Sequence, residues 1–175
     1  GVCSTEDAQQ TEPFAFGFSR RGRFSVFESS GWGGLDEMRR ADKHFKGKNV
    51  IVTGGSSGIG KATAKLLARN GANVSIIARE RAKLDQALQE IRAEGNDAQQ
   101  RFRAFSTDVT DSEEVKATID AMVEASASPD ILLNSAGIAH PGHVRELPLS
   151  SFRDQMNVNY FGTLHTVRAV LPYLM

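Results

Sequence analysis

The stretch VTGGSSGIGKAT, residues 52–63, places four glycines between an apolar run and a helical pattern. Counted from Thr53, it reads T-G-x-x-x-G-x-G, a spacing typical of a dinucleotide-binding turn. Counted from Gly55, it comes within one residue of the phosphate loop of an ATPase. The two interpretations predict different ligands, so the neighbouring residues have to decide between them.

A missing hydroxyl argues against the phosphate loop. That loop needs Ser or Thr directly after its lysine, because the hydroxyl binds magnesium, whereas Lys61 is followed by Ala62. A dinucleotide turn needs glycines at a strand-to-helix junction, where bare backbone can approach a pyrophosphate at the positive end of the helix. The sequence therefore predicts a dinucleotide site at this turn. Its predicted members are Gly54, Ser56, Ser57, Gly58, Ile59 and Gly60.

Strand and helix patterns alternate along the chain from about residue 46. The strand-type runs are NVIVT, NVSIIA, FRAFSTDV and DILLN, at residues 49–53, 73–78, 102–109 and 130–134. A helical pattern follows each of them, and the last helix is predicted from about Ser150 to the end. This alternation predicts an α/β fold with a doubly wound parallel sheet and right-handed crossovers.

Apolar periodicity predicts which side of each helix faces the sheet. The predicted inward residues are Ile59, Ala62, Leu66 and Leu67; Leu84, Ala87, Leu88 and Ile91; Val115, Ile119, Met122 and Val123; and Phe152, Met156, Asn159, Thr163 and Val167. Gly71 and Gly95 are predicted to end the first two helices. Thr110 and Glu113 have the spacing of a capping box before the third helix.

The end of the second strand predicts which dinucleotide binds. An acidic residue there accepts a hydrogen bond from the ribose 2′-hydroxyl of NAD, whereas a basic residue accommodates the 2′-phosphate of NADP. Ala78 stands where an acidic residue would be expected for NAD. Arg79 has a planar guanidinium suited to binding phosphate, and Lys83 follows one helical turn later. The sequence therefore favours NADP over NAD, unless both cations are ordinary solvated surface charges.

Composition excludes several other classes of function. Lys plus Arg and Asp plus Glu both total 21, which gives no electrostatic reason to expect nucleic acid or an anionic membrane as partner. Cys3 is the only cysteine, so no internal disulfide and no thiolate zinc cluster is expected. His140 and His143 form H-x-x-H without a visible third ligand, and no metal site is predicted. No apolar run is long enough to predict a membrane span.

The motifs TGGSSGIG, DVTD, NSAG and VNYFGT, in this order, resemble the short-chain dehydrogenase/reductase family. The resemblance covers about residues 45–175 and implies a Rossmann fold that binds a nicotinamide cofactor. It also implies that Asp108 and Val109 contact the adenine. The residues implied to shape the edge of the cofactor cleft are Asn134, Ser135, Ala136 and Gly137.

The resemblance gives Asn159 a catalytic role, because the matching asparagine of the family holds a water that relays protons to a catalytic lysine. The sequence predicts that this carboxamide is buried and therefore has hydrogen-bond partners, although it could also serve packing alone. The family's catalytic Ser and Tyr-x-x-x-Lys have no match here, since Leu164 lies four residues after Tyr160 and Tyr173 precedes the expected position. These residues are expected beyond Met175, so a C-terminally truncated, inactive fragment is predicted.

Within the family, NSAGIAHPGHVRELPLSSFRDQMNVNYFGTL, residues 134–164, is most similar to 3-ketodihydrosphingosine reductases, which use NADPH. This resemblance implies reduction of a lipid ketone, with residues 138–149 bordering the lipid's entry. Another short-chain reductase, such as one acting on 3-oxoacyl-acyl-carrier protein, and a non-catalytic dinucleotide-binding module remain alternatives. A homo-oligomer is left open, as is the compartment: the cytoplasm or the cytosolic face of the endoplasmic reticulum.

The predicted domain boundary lies near residue 45. Residues 1–44 contain scattered Phe and Gly without periodicity and are predicted to be a poorly ordered extension, with a binding tail or a transit-peptide remnant as alternatives. Residues 45–175 are predicted to form the incomplete NADP-binding domain.

Overall fold

The structure is a computed structural model that describes residues 44–125 and 127–174. Within these ranges the strands are β1 (Asn49–Thr53), β2 (Asn73–Ala78), β3 (Phe102–Ser106) and β4 (Ile131–Asn134). The helices are α1 (Gly58–Arg69), α2 (Arg81–Ala93), α3 (Ser112–Ala125), α4 (Leu149–Gln155) and α5 (Thr163–Leu174), with a π-helical segment, Met156–Gly162, joining α4 to α5. The predicted extension, residues 1–44, lies outside the described residues except for His44.

All the paired strands are parallel, and their order in the sheet is β3-β2-β1-β4. The order places β1 in the interior, so the chain crosses over on both sides of it, which confirms the predicted doubly wound sheet. Thr53 is in register with Ile77 on one side and with Asn134 on the other. The loops that follow these strands therefore meet at one edge of the sheet.

Each face of the sheet packs against a separate apolar layer. Alternate residues of β1 point to opposite faces, so Val50 and Val52 join one layer and Ile51 joins the other. Leu67 of α1 and Leu84 of α2 complete the first layer. The second layer contains Ile77, Val115, Ile119, Met122 and Val170.

The inward faces predicted for α2 and α3 are confirmed, whereas the prediction for α1 is right at Leu67 and wrong at its other three residues. Its buried residues are Gly60, Ala64, Leu67 and Ala68. Ile59 and Leu66 are 76% and 56% exposed. The reason is close backbone approach: small residues let α1 lie directly on the sheet, so the largest apolar side chains do not mark its inner face.

The capping box predicted at Thr110 and Glu113 is not formed, and Asp111 caps α3 instead. The Asp111 carboxylate accepts hydrogen bonds from the N–H groups of Glu113 and Glu114, at 2.9 and 3.0 Å. The Thr110 hydroxyl instead donates to Asp108 at 2.8 Å. Asp111 is therefore the N-cap of α3, since the Thr110 side chain is engaged elsewhere.

The inward stripe predicted for the C-terminal helix is also wrong, since α4 has no buried residue and the residues buried after it are not the predicted ones. Met156 and Val167 are 51% and 38% exposed, whereas Gly162, Thr166 and Val170 are buried. A π-helical segment holds more residues per turn than an α-helix, so it shifts the phase of every residue that follows. The start of α4 at Leu149 agrees with the predicted start near Ser150.

None of the helices in residues 44–125 and 127–174 combines the length and the apolar character that crossing a bilayer requires.

Candidate functional site: a cleft at the carboxyl end of the sheet

The inner side of the glycine turn is packed against backbone. Gly54 has φ +67°, and a Cβ added there would lie 2.6 Å from the carbonyl oxygen of Ser135. A Cβ added at Gly60 would lie 2.4 Å from the carbonyl oxygen of Gly54. Only glycine fits at either position, because the neighbouring atoms belong to the main chain and cannot rotate away.

The outer side of the same turn is open. Gly58 has φ +52°, and nothing lies within 4 Å of a Cβ added there. Ser57 is the N-cap of α1, in an extended conformation, and its side chain makes no capping hydrogen bond. Among the described residues, no acceptor is bonded to the N–H groups of Ser57, Gly58 and Ile59. These free donors at the positive end of α1 form a site that suits an anion.

The loop after β4 is fixed to the floor of the cleft by a buried hydroxyl. Thr53 is 1% exposed, and its Oγ1 accepts hydrogen bonds from the N–H groups of Ser135 and Ala136, at 3.1 and 3.2 Å. Asn134 is held on the other side, where its Oδ1 accepts from the Thr166 hydroxyl at 2.7 Å. Tertiary contacts rather than a local turn therefore place this loop beside the glycine turn.

Asn159 lies in the π-helical segment and pairs with the backbone of one residue. Its Nδ2 donates to the carbonyl oxygen of Ile138 and its Oδ1 accepts from the N–H of Ile138, both at 2.9 Å. The prediction that its carboxamide is buried is wrong, since the residue is exposed. The prediction that it is partnered is right, and the two bonds join the C-terminal helix to the loop after β4.

Two cations and two carboxylates lie at the far end of the cleft, where β2 ends. Lys83 Nζ lies 2.7 Å from Glu80 Oε1, and Arg79 Nη1 lies 3.9 Å from Asp108 Oδ2. All four side chains are at least 37% exposed. Such exposed pairs are weak in water, so an anionic ligand can compete for either cation.

Asp108 and Val109 form the neighbouring wall, and both are held in place. Asp108 Oδ1 accepts from the N–H and the hydroxyl of Thr110, at 2.9 and 2.8 Å. His165 Nδ1 lies 3.0 Å from the carbonyl oxygen of Val109, and it must donate, because a carbonyl only accepts. A Cβ added at Gly162 would lie 2.7 Å from Val109 Cγ2. Sequence reasoning missed both His165 and Gly162, although a glycine within an apolar helical pattern is a signal of close approach.

These elements enclose a cleft of about 450 Å³. The predicted cleft residues that line it are Gly54, Ser56, Ser57, Gly58, Ile59, Arg79, Lys83, Asp108, Val109, Ser135, Ala136 and Gly137. Gly60 and Asn134 do not line it; they support the wall from behind. The lining also includes Glu80, Thr107, Ile138 and Val158, which the sequence did not single out as cofactor residues.

Lys61, the residue on which a phosphate-loop interpretation depends, does not line this cleft. Its Nζ lies 3.1 Å from Glu90 Oε1 on α2. This ion pair and the absence of a hydroxyl at Ala62 leave the ATPase interpretation without support.

Neither tyrosine in the described part of the chain lines the cleft. The Tyr173 hydroxyl donates to Asp120 Oδ1 at 2.7 Å, and this hydrogen bond to a carboxylate raises the pKa of Tyr173. Tyr160 is 57% exposed and does not line the cleft. His140 and His143 are exposed, and in residues 44–125 and 127–174 no three His, Cys, Asp or Glu residues come together as metal ligands.

Comparison with curated proteins identifies similar reductases. The chain is 40% identical over 133 residues to a 3-ketodihydrosphingosine reductase of Aspergillus fumigatus, which covers 73% of this chain and 36% of that protein. It is 38% identical over 126 residues to a mouse 3-ketodihydrosphingosine reductase, covering 71% of this chain and 38% of the relative. The chain thus spans well under half the length of these relatives.

Solved structures of similar fold contain nicotinamide cofactors. An actinorhodin polyketide ketoreductase with NADPH is 31% identical, with a TM-score of 0.65 over 71% of this chain and 46% of that one. A xylitol dehydrogenase bound to NAD⁺ is 30% identical, with a TM-score of 0.66 over 75% of this chain and 50% of that one. The family model for short chain dehydrogenase matches residues 48–175. The chain belongs to the short-chain dehydrogenase/reductase family.

Proposed function

We propose that the complete protein is an NADPH-dependent short-chain reductase that converts a ketone to a secondary alcohol. The observation that carries this proposal is the cleft itself. N–H groups at the start of α1 that have no partner in residues 44–125 and 127–174 lie at one end, and Arg79 and Lys83 lie at the other. This arrangement fits a dinucleotide with its pyrophosphate on the glycine turn and its adenosine ribose beside β2.

The cofactor would supply a hydride, and this chain's residues would bind and orient it. The N–H groups of Ser57, Gly58 and Ile59 would donate to the pyrophosphate. The open face of Gly58 would allow its close approach. Asp108 and Val109 would border the adenine. Family membership and the NADPH and NAD⁺ complexes of similar structures support a nicotinamide dinucleotide as the ligand.

The preference for NADPH is proposed from Arg79. Its guanidinium lines the cleft, is 61% exposed, and lies 3.9 Å from its nearest carboxylate, too far for a hydrogen bond. It is therefore available for bidentate binding of a 2′-phosphate. Ala78, the last residue of β2, offers no carboxylate to a 2′-hydroxyl, which supports the same choice.

Asn159 is proposed as the asparagine of the family's proton relay. Both polar atoms of its carboxamide are engaged by Ile138, so the side chain fixes the loop beside the cleft rather than contacting a substrate. The role proposed for Asn159 is therefore to hold the backbone geometry through which an ordered water is positioned. The catalytic Ser, Tyr and Lys are proposed to lie outside these 175 residues.

The proposed substrate is 3-ketodihydrosphingosine. Its support is the 37% to 40% identity to 3-ketodihydrosphingosine reductases from Aspergillus fumigatus, mouse and cattle. Because identity to a 2,3-dihydro-2,3-dihydroxybenzoate dehydrogenase of Bacillus subtilis is 34%, the substrate has to be tested directly. Residues 138–149, which begin at the cleft residue Ile138 and are exposed from 139 to 146, are proposed to border the lipid's entry.

The test is cofactor oxidation by the complete protein with 3-ketodihydrosphingosine, and with a 3-oxoacyl thioester as the competing substrate. We expect turnover of the sphingoid ketone with NADPH. Arg79→Gln should raise KM for NADPH about 10- to 100-fold, the value of a charge-assisted bidentate contact, and leave KM for NADH unchanged.

Arg81→Gln is the matched control, because Arg81 is equally exposed, pairs with Asp85 and does not line the cleft. It should change neither KM. Equal effects of Arg79→Gln on the two cofactors would contradict the proposed NADPH preference. Turnover of the 3-oxoacyl thioester alone would contradict the proposed substrate.

A further inference from the structure

We propose that Glu80 determines cofactor selectivity, by holding Lys83 and by opposing a 2′-phosphate, so that it limits the preference for NADPH over NADH. This inference rests on the proposed function. Glu80 is a wall residue of the cleft, next to Arg79 and one helical turn before Lys83. It adds a negative charge to the corner where the 2′-phosphate is proposed to bind.

The two cations of this corner are not equivalent. Lys83 Nζ donates a hydrogen bond to Glu80 Oε1 at 2.7 Å, a length typical of a charge-assisted bond. Arg79 Nη1 is 3.9 Å from Asp108 Oδ2, beyond hydrogen-bond range. A phosphate can thus bind Arg79 without meeting a hydrogen-bonded carboxylate, but at Lys83 it has to share the ammonium group with the Glu80 carboxylate.

The two carboxylates also differ in freedom of movement. Asp108 is fixed through its Oδ1, which accepts two hydrogen bonds from Thr110. Among the described residues, the Glu80 side chain is hydrogen-bonded by Lys83 alone, and the side chains of this pair are 64% and 58% exposed. The Glu80 carboxylate can therefore turn away from Lys83 when a ligand arrives, but its place in the chain next to Arg79 keeps its charge in this corner.

The local fold around Glu80 does not depend on a hydrogen bond from its carboxylate to the backbone. Glu80 is the N-cap residue of α2, but its side chain makes no capping hydrogen bond. The first turn of α2 is joined to it through its backbone, where the carbonyl oxygen accepts from the Leu84 N–H at 3.0 Å. Replacing the carboxylate by a carboxamide leaves that bond intact, so Glu80→Gln should fold normally.

Electrostatics gives the direction of the effect. A phosphate monoester carries about −1.5 to −2 charge at neutral pH, so a carboxylate at the same site repels it and competes with it for Lys83. A neutral 2′-hydroxyl is not repelled by the carboxylate and does not compete with it for the Lys83 ammonium. Glu80 should therefore lower the affinity for NADP-type ligands selectively.

The experiment measures binding rather than turnover, by isothermal titration of the complete protein with adenosine 2′,5′-bisphosphate and with adenosine 5′-monophosphate. Glu80→Gln should tighten binding of the bisphosphate about three- to tenfold at low salt and change binding of the monophosphate less than twofold. Asp85→Asn is the matched control, since Asp85 is an exposed, ion-paired carboxylate on the same helix outside the cleft. It should change neither affinity.

The outcomes separate this inference from the proposed function. No preference of the unmodified protein for the bisphosphate contradicts the proposed NADPH use. A clear preference that Glu80→Gln leaves unchanged or weakens overturns the role of Glu80. In a Lys83→Met background, the effect of Glu80→Gln should shrink, because part of it acts through Lys83. Circular dichroism of each variant, with Glu80→Ala as a second replacement, identifies any change in folding.

Discussion

The two ends of α1 are built in opposite ways. At its C-terminal end, Gly71 donates to the carbonyl oxygen of Ala68 and Ala72 donates to that of Leu67, the pair of bonds that defines a Schellman motif. Arg69 joins the same end to Glu94 of α2 through two hydrogen bonds, at 2.6 and 2.9 Å. Here both backbone and side chains are satisfied within the chain.

The N-terminal end of α1 has donors without acceptors and a backbone surface without side chains. Gly60 lies against the carbonyl of Gly54, while the N–H groups of Ser57, Gly58 and Ile59 have no partner among the described residues. Ile59, in the first turn, is 76% exposed. The difference shows that the end that supports the fold has its hydrogen bonds satisfied within the chain, whereas the end proposed to bind a ligand keeps donors free among the described residues.

The largest expected effect comes from filling the inner side of the N-terminal end. Gly60→Ala should destabilise the protein by about 3 kcal/mol or more, because the new Cβ meets main-chain atoms at 2.4 and 2.8 Å. Gly58→Ala should cost only about 1–2 kcal/mol, the strain of a left-handed residue, since its Cβ points into open space. Urea unfolding measures both.

Titration with NADPH tests whether the open, outer side of the turn binds the cofactor. Gly58→Ala should weaken NADPH binding by more than its effect on stability suggests, because the methyl group occupies the face offered to the pyrophosphate. Equal stability losses for the two variants would show that the inner and outer sides of the turn do not differ as described.

The next effect comes from the floor beneath that end. Thr53→Val removes the hydroxyl that accepts from the N–H groups of Ser135 and Ala136 and leaves those donors unpaired. The expected loss is about 1–3 kcal/mol. Thr53→Ser keeps the hydroxyl and should lose less than about 1.5 kcal/mol. Similar losses for Val and Ser would mean that packing, rather than these hydrogen bonds, holds the loop.

The smallest effect is expected at the C-terminal end, where the stabilising contacts are exposed ion pairs. The hydrogen bond from Arg69 is the main cause that lowers the pKa of Glu94, from an ordinary value of 4.5 to about 2. Because the folded-state pKa is depressed, this contribution is present above pH 4.5 and is lost as the pH falls towards 2. In the Glu94→Gln variant, the thermal stability should therefore fall less between pH 4.5 and pH 2 than in the unmodified protein.

Thermal unfolding between pH 2 and pH 7 measures this effect. Glu113→Gln is the control, because Glu113 is an exposed carboxylate without an ion pair among the described residues. It should leave the slope unchanged. If the stability of the Glu94→Gln variant falls with pH as steeply as that of the unmodified protein, the contacts between Arg69 and Glu94 do not contribute to acid stability.

The fold and most of the cleft wall were predictable from local patterns. Strand order along the chain, the helices α2 and α3 and the strand-to-helix glycine turn depend on apolar periodicity and on glycine, which act within a few residues. The α1 face was not predictable in this way, because Gly60 and Ala64 face inward for reasons of backbone approach. The C-terminal stripe failed because a π-helical segment, invisible to an α-helical period, precedes Thr163.

By itself, the sequence determined the doubly wound sheet, the dinucleotide turn and the basic residues at the end of β2, since each is written in contiguous residues. Only the tertiary structure decided which glycine packs and which stays open, that Asn159 binds Ile138, and that Glu80 holds Lys83. The physical reason is that hydrogen-bond partners and close contacts join residues distant in the chain, or depend on side-chain positions, and no local period encodes them.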